Sequence, residues 1–164
     1  MCLHHLIAAT ILATSLLITP AMAIPKEDVE KLMNELLPFA EKMLREHGEF
    51  YPYGGALSAD GKIVHKGADT GSQHPESTEL INLMIQGFRS DAAQRKYIAT
   101  AIIHDIRTIP PGQTQKTDAI CVSLDHKDNY SVNVIFPYTL REGGKLSIST
   151  PFATKGDGKI FPAR

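Results

Sequence analysis

The sequence predicts an α+β domain: a five-stranded antiparallel sheet, built as a hairpin plus a three-strand meander, with an N-terminal kinked helix and a second helix packed on it. Three observations carry this. Two segments, over residues 28–47 and 77–89, repeat apolar residues at three- and four-residue steps, the period of a helix with one buried face. The last third alternates apolar and polar residues at the two-residue period of a strand. An Asp60-Gly61 pair stands between two short extended runs, which is a hairpin signal. The order helix, hairpin, helix, meander closes with short connections and helices mainly on one face.

The chain opens with an address. Residues 1–23 carry no Lys, Arg, Asp or Glu, and an apolar run over residues 6–18 ends at the breaker Pro20. Ala21-Met22-Ala23 then gives the small-x-small pattern that a signal peptidase accepts. The run is shorter than the ~20 residues a bilayer needs, so it reads as a cleaved secretory signal rather than an anchor. The n-region departs from the usual pattern, with His4 and His5 in place of Lys or Arg. Cleavage after Ala23 leaves 141 residues carrying every Lys, Arg, Asp and Glu, enough for one core without staples. It also removes Cys2 and leaves Cys121 alone, so no internal disulfide forms and a buried thiol is expected. The expected location is periplasmic or extracellular, with no stable membrane anchor.

The first helix begins at Pro25 and Asp28. Val29, Leu32, Met33, Leu36, Leu37, Ala40, Met43 and Leu44 form its apolar stripe, and His47-Gly48 is a conventional stop. Pro38 lies inside it and removes the backbone bond to Asn34, which predicts a kink or two abutting helices. The hairpin joins residues 50–57 to residues 63–66, and both central turn positions, Asp60 and Gly61, are expected at positive φ. Residues 67–75 read as loop. Leu80, Ile81, Met84, Ile85 and Phe88 make the second helix. The meander runs through residues 98–109, 118–126 and 130–138, with a short closing strand through Leu146 and Ile148. Within it, Ile120, Val122 and Leu124 face one way and Cys121, Ser123 and Asp125 the other; centring the turn on Asp128 sets Cys121 opposite Ile135. Residues 151–164 read as a loosely ordered tail.

Composition narrows function mainly by exclusion. Seventeen basic and 18 acidic residues give a net charge of -1, without the basic excess that nucleic acid requires. The five histidines of the mature part show no i, i+4 metal pair and no H-E-x-x-H, so neither a metal nor a cofactor is expected. No G-x-S-x-G elbow, S-x-x-K, Walker loop or G-x-G-x-x-G is present. In His104-Asp105 and Asp125-His126 the neighbours point to opposite faces of a strand, so neither pair cooperates within itself.

Two features remain as binding candidates. Phe50, Tyr51 and Tyr53, with Pro52 between them and Gly54-Gly55 after them, form an aromatic cluster of the kind enriched at interfaces and pockets. The same residues also suit a strand entry that caps the core, with the glycines permitting close backbone approach. The second is the uncharged sheet face of Cys121, Ser123, Asn133 and Ile135, which needs cover from the N-terminal helix, a partner or a second copy of the chain.

The element order resembles the profilin-like, roadblock and sensor-domain architectures, a likeness of order that implies no activity. The stretch Phe50-Tyr51-Pro52-Tyr53-Gly54, with Lys116-Thr117-Asp118-Ala119 ahead of a strand, also resembles a set of small uncharacterised exported bacterial proteins. The functional expectation is therefore an exported, non-catalytic binding domain, taking a protein partner or a small molecule in a pocket between helix and sheet. Its alternative is a small hydrolase assembled from dispersed His65, His104 and Asp125, which needs at least two of them to converge beside a cleft.

Overall fold

A computed structural model describes residues 25–161, so the expected signal segment and residues 162–164 lie outside the described residues. The chain folds as α+β in the order α1 (Pro25–His47), β1 (Tyr53–Leu57), β2 (Ile63–Lys66), α2 (Ser77–Ala93), β3 (Ala99–Thr108), β4 (Thr117–His126), β5 (Tyr130–Arg141), β6 (Lys145–Ile148) and β7 (Phe152–Lys155). The strands form one open antiparallel sheet in the order β2-β1-β3-β4-β5-β6, with β7 also paired to β5.

Among the described residues the sheet has seven strands rather than five. β6 and β7 lie end to end along the 12-residue β5, β6 against residues 138–141 and β7 against residues 132–135. β7 came from the segment read as a loose tail. Its sequence, Phe-Ala-Thr-Lys, has one large apolar residue and no alternation, and its place is secured by backbone bonds to the free edge of β5.

The helices lie on opposite faces of the sheet, not mainly on one. α1 sets Val29, Leu32, Leu36, Ala40 and Leu44 against Ala101, Ile103, Ile120, Val122 and Leu124. α2 sets Met84 and Phe88 against Ala56, Ile102 and Ile160 on the other side. The reason lies in β3, where five consecutive residues, Ala99 to Ile103, are buried; a strand apolar on both faces needs cover on both.

α1 runs unbroken past Pro38. The Tyr53 hydroxyl donates to the Leu36 carbonyl at 2.8 Å and accepts from the Ala40 amide at 3.0 Å. Those are the two groups a regular helix would join to each other, one turn around the proline. Gly48 ends the helix as predicted, at φ +79° with its amide on the Leu44 carbonyl. The hairpin forms as expected but by a different turn. Ser58 and Lys62 close a three-residue loop in which, of Asp60 and Gly61, only Gly61 takes a positive φ, +82°.

Candidate functional site

The face that the sequence left needing cover is roofed on one side by α2 and on the other by the C-terminal segment. Between them lies a cleft of about 450 Å³. The registers set its floor as three rungs across β3, β4 and β5. The first carries His104, Cys121 and Ile135; the second Ile102, Ser123 and Asn133; the third Thr100, Asp125 and Ser131. Ile81 and Ile85 of α2 form one wall, and Asp157, Lys159 and Ile160 the other. All four residues of the uncharged face therefore line one cleft, together with His104 and Asp125. The predicted pairing of Cys121 with Ile135 is present.

The second wall is held by a latch. The Ser131 hydroxyl donates to Asp125 Oδ1 and accepts from the Gly158 amide, while Asp125 Oδ2 accepts from the Ile160 amide at 3.1 Å. The Gly156 amide bonds the Ser131 carbonyl, and a Cβ at position 156 would stand 2.1 Å from Ser131 Oγ. Gly156 is thus required for the tail to lie this close. Arg89 Nε, near the end of α2, donates to the Lys159 carbonyl and ties the two walls together. Sequence reasoning gave Gly156-Asp157-Gly158 no weight, because a glycine needed for close approach looks the same as one in a mobile tail.

Cys121 and His104 on the floor favour their uncharged forms. Cys121 is 6% exposed, and burial pushes its thiol above its ordinary range, against the smaller opposite effect of the Ser123 hydroxyl 3.8 Å from Sγ. Burial, and then the Lys159 ammonium, holds the His104 imidazole below its ordinary value. His104 and Cys121 are direct cross-strand neighbours, yet both effects favour the neutral thiol and neutral imidazole over the ion pair of a cysteine nucleophile. Among the described residues, His104 Nδ1 is the buried side-chain N or O atom without a hydrogen-bond partner. The charges on the lining are already matched: Asp125 by the latch, and Lys159 by Asp157 at 2.7 Å.

The other candidates fall elsewhere. His65 lies by α1, its Nε2 3.7 Å from Glu35. His104 and Asp125 share the cleft but stand two rungs apart, about 13 Å along the strands at ~3.3 Å per residue. The neighbours Asp105 and His126 point to the α1 face, as strand alternation required. There Asp105 accepts from the Tyr138 hydroxyl at 3.1 and 3.2 Å, and buried His126 meets Asp28 at 3.2 Å. The aromatic cluster divides. Tyr53 is committed to α1, with Phe39 packed edge-on at 5.0 Å and Phe50 at 6.1 Å, while Tyr51 is 51% exposed. Gly54 and Gly55 do permit close approach, since a Cβ on either would collide with the Ala101 carbonyl or with Leu36.

A larger groove, about 840 Å³, opens by the C-terminal end of α2 beside Arg89, Arg95, Tyr97 and Lys127. It contains none of the sequence-predicted site residues, and Lys127 is already paired with Asp128 at 2.7 Å. Among the described residues no cluster of three or more His, Cys, Asp or Glu is placed to hold a metal, and no helix is long and apolar enough to cross a membrane. Comparison with known protein families, curated proteins and solved structures finds no match.

Proposed function

We propose that the protein is an exported, non-catalytic binding domain that holds a small ligand in the cleft between α2, the β3–β5 face and the C-terminal segment. The observation that carries this reading is the convergence of His104, Cys121, Ser123, Asn133 and Ile135 on one cavity of about 450 Å³. That volume lies in the range of small-molecule sites, and a mostly apolar lining with a few polar groups is their usual chemistry. The hydrolase alternative draws less support. It needs two of His65, His104 and Asp125 within hydrogen-bond reach, and they are separated by a sheet face or by two rungs. Of the protein-partner reading, Tyr51 is the aromatic candidate that stays mostly exposed.

Native mass spectrometry of the mature protein, residues 24–164, recovered from the envelope of its own host tests the proposal. The expected result is a retained small-molecule adduct that disappears in Ser123→Phe, a variant that fills the middle rung while circular dichroism shows the fold intact. An adduct that persists in Ser123→Phe places the ligand outside the cleft and overturns the proposal. So does a protein that carries no adduct in any preparation.

A further inference from the structure

We propose that the groove at the C-terminal end of α2 is a second ligand site and takes a small organic anion. Arg89 and Arg95 hold its carboxylate or phosphate, and its apolar body rests against Tyr97, Ile98 and Phe161. This site is additional to the cleft. The two share Lys159 and Ile160 in their linings but have different floors, so either can stand without the other.

Three observations carry the proposal. The first is the sign of the lining. Arg89, Arg95, Lys127 and Lys159 border a groove of about 840 Å³, and among the described residues no Asp or Glu lines it. Lys127 and Lys159 are each held at 2.7 Å by a carboxylate outside that lining, Asp128 and Asp157. The two arginines are less committed. Arg89 engages its Nε on the Lys159 carbonyl, and Arg95 makes no side-chain hydrogen bond or ion pair among the described residues. A guanidinium presents a planar fork of N–H donors that matches the oxygens of a carboxylate or phosphate.

The second observation is the backbone of Arg95, which takes a φ of +57° just past α2. Its amide bonds the Ala92 carbonyl at 2.9 Å, and the Lys96 amide bonds the Asp91 carbonyl at 3.1 Å. These are the paired bonds of a helix stop that usually falls to glycine, as it does at Gly48 after α1. An arginine in this conformation carries strain that glycine would not, and such strain points to a use for the side chain. The attraction of a helix end for cations does not supply that use, because Lys96 already stands beside it.

The third is apolar surface next to these charges. Tyr97, Ile98 and Phe161 are only partly buried, and they offer a hydrocarbon body contact beside its counter-charge.

Phenylpropionate, phenyl phosphate, the neutral phenylpropionamide and inorganic phosphate, titrated into the folded protein, separate the outcomes. The Tyr97 ring and the methyl groups of Ile98 and Ile135 are followed by NMR. The expected result is saturable shifts at Tyr97 and Ile98 with the organic anions, the tighter one identifying the headgroup. The amide and inorganic phosphate should bind at least about tenfold more weakly. Arg95→Gly has two effects of opposite sense: anion affinity should fall about tenfold, while relief of strain raises the Tm by about 2–4 °C. Amide binding equal to that of the anions overturns the charge selection. Equal binding of inorganic phosphate overturns the apolar contact and leaves an adventitious ion only. Unchanged anion affinity in Arg95→Gly overturns the role of Arg95, and a Tm that falls with the affinity makes that residue structural instead. Anion shifts confined to Ile135 overturn this site and leave the cleft reading standing; no shift with either organic anion overturns this site alone.

Discussion

Tyr53→Phe removes one oxygen and with it both hydrogen bonds that span α1 beside Pro38. The expected cost is about 1–3 kcal/mol, read as a lower denaturant midpoint at unchanged slope. The same substitution has a signature at high pH. Burial holds the Tyr53 phenol above its ordinary value, so the unfolded chain ionises first as the pH passes about 10, and stability falls from there upward. Tyr53→Phe should shrink that alkaline loss. A remainder persists from Tyr138, whose phenol is also raised, by burial and by Asp105 beside it. Stability curves of the two proteins that run parallel above pH 10 would contradict this account. Tyr53 also shows how far residue type can be read in sequence. An aromatic after Pro52 was legible as an interface or core residue, but the bond to Leu36 depends on α1 lying directly over β1, which no local pattern states.

At the scale of elements, legibility followed periodicity and turn length. Both helices, the hairpin and the β4–β5 pairing were readable, the last because a three-residue turn centred on Asp128 fixes register. The neighbouring register was not readable. β3 and β4 are joined by residues 109–116, and a loop of that length permits several offsets, so the juxtaposition of His104 with Cys121 had no local signal. β7 and the latch were invisible for a related reason: their stabilisation is backbone bonding and close approach, which leave no hydrophobic pattern. The latch makes a prediction of its own. Ser131→Ala removes the hydroxyl shared by Asp125 and the Gly158 amide and should cost about 1–2 kcal/mol. Its specific mark is faster amide hydrogen exchange at Gly158 and Ile160, with the α1 core unaffected. Exchange that rises equally in both places would mean the tail is not a separate unit.

On the scale of the whole molecule, one sheet divides two apolar layers, a large one under α1 and a smaller one under α2 that opens into the cleft. Cys121 lies on the smaller side, and its thiol is both buried and held protonated. A disulfide reagent at pH 8 should modify it far more slowly than the denatured chain, and occupation of the cleft should slow it further; fast labelling of the native protein would place the thiol outside the cleft. The division also has a consequence for the order in which the molecule can be assembled. α1 precedes every strand, and the strands that bury its stripe are chiefly β3, β4 and β1, the last of which in the chain, β4, ends at His126. While the chain emerges from its N-terminus, most of that stripe waits for β3 and β4, which begin more than fifty residues after α1 ends. The helix therefore closes onto the sheet by long-range contacts, which makes folding slower than in a domain of local contacts.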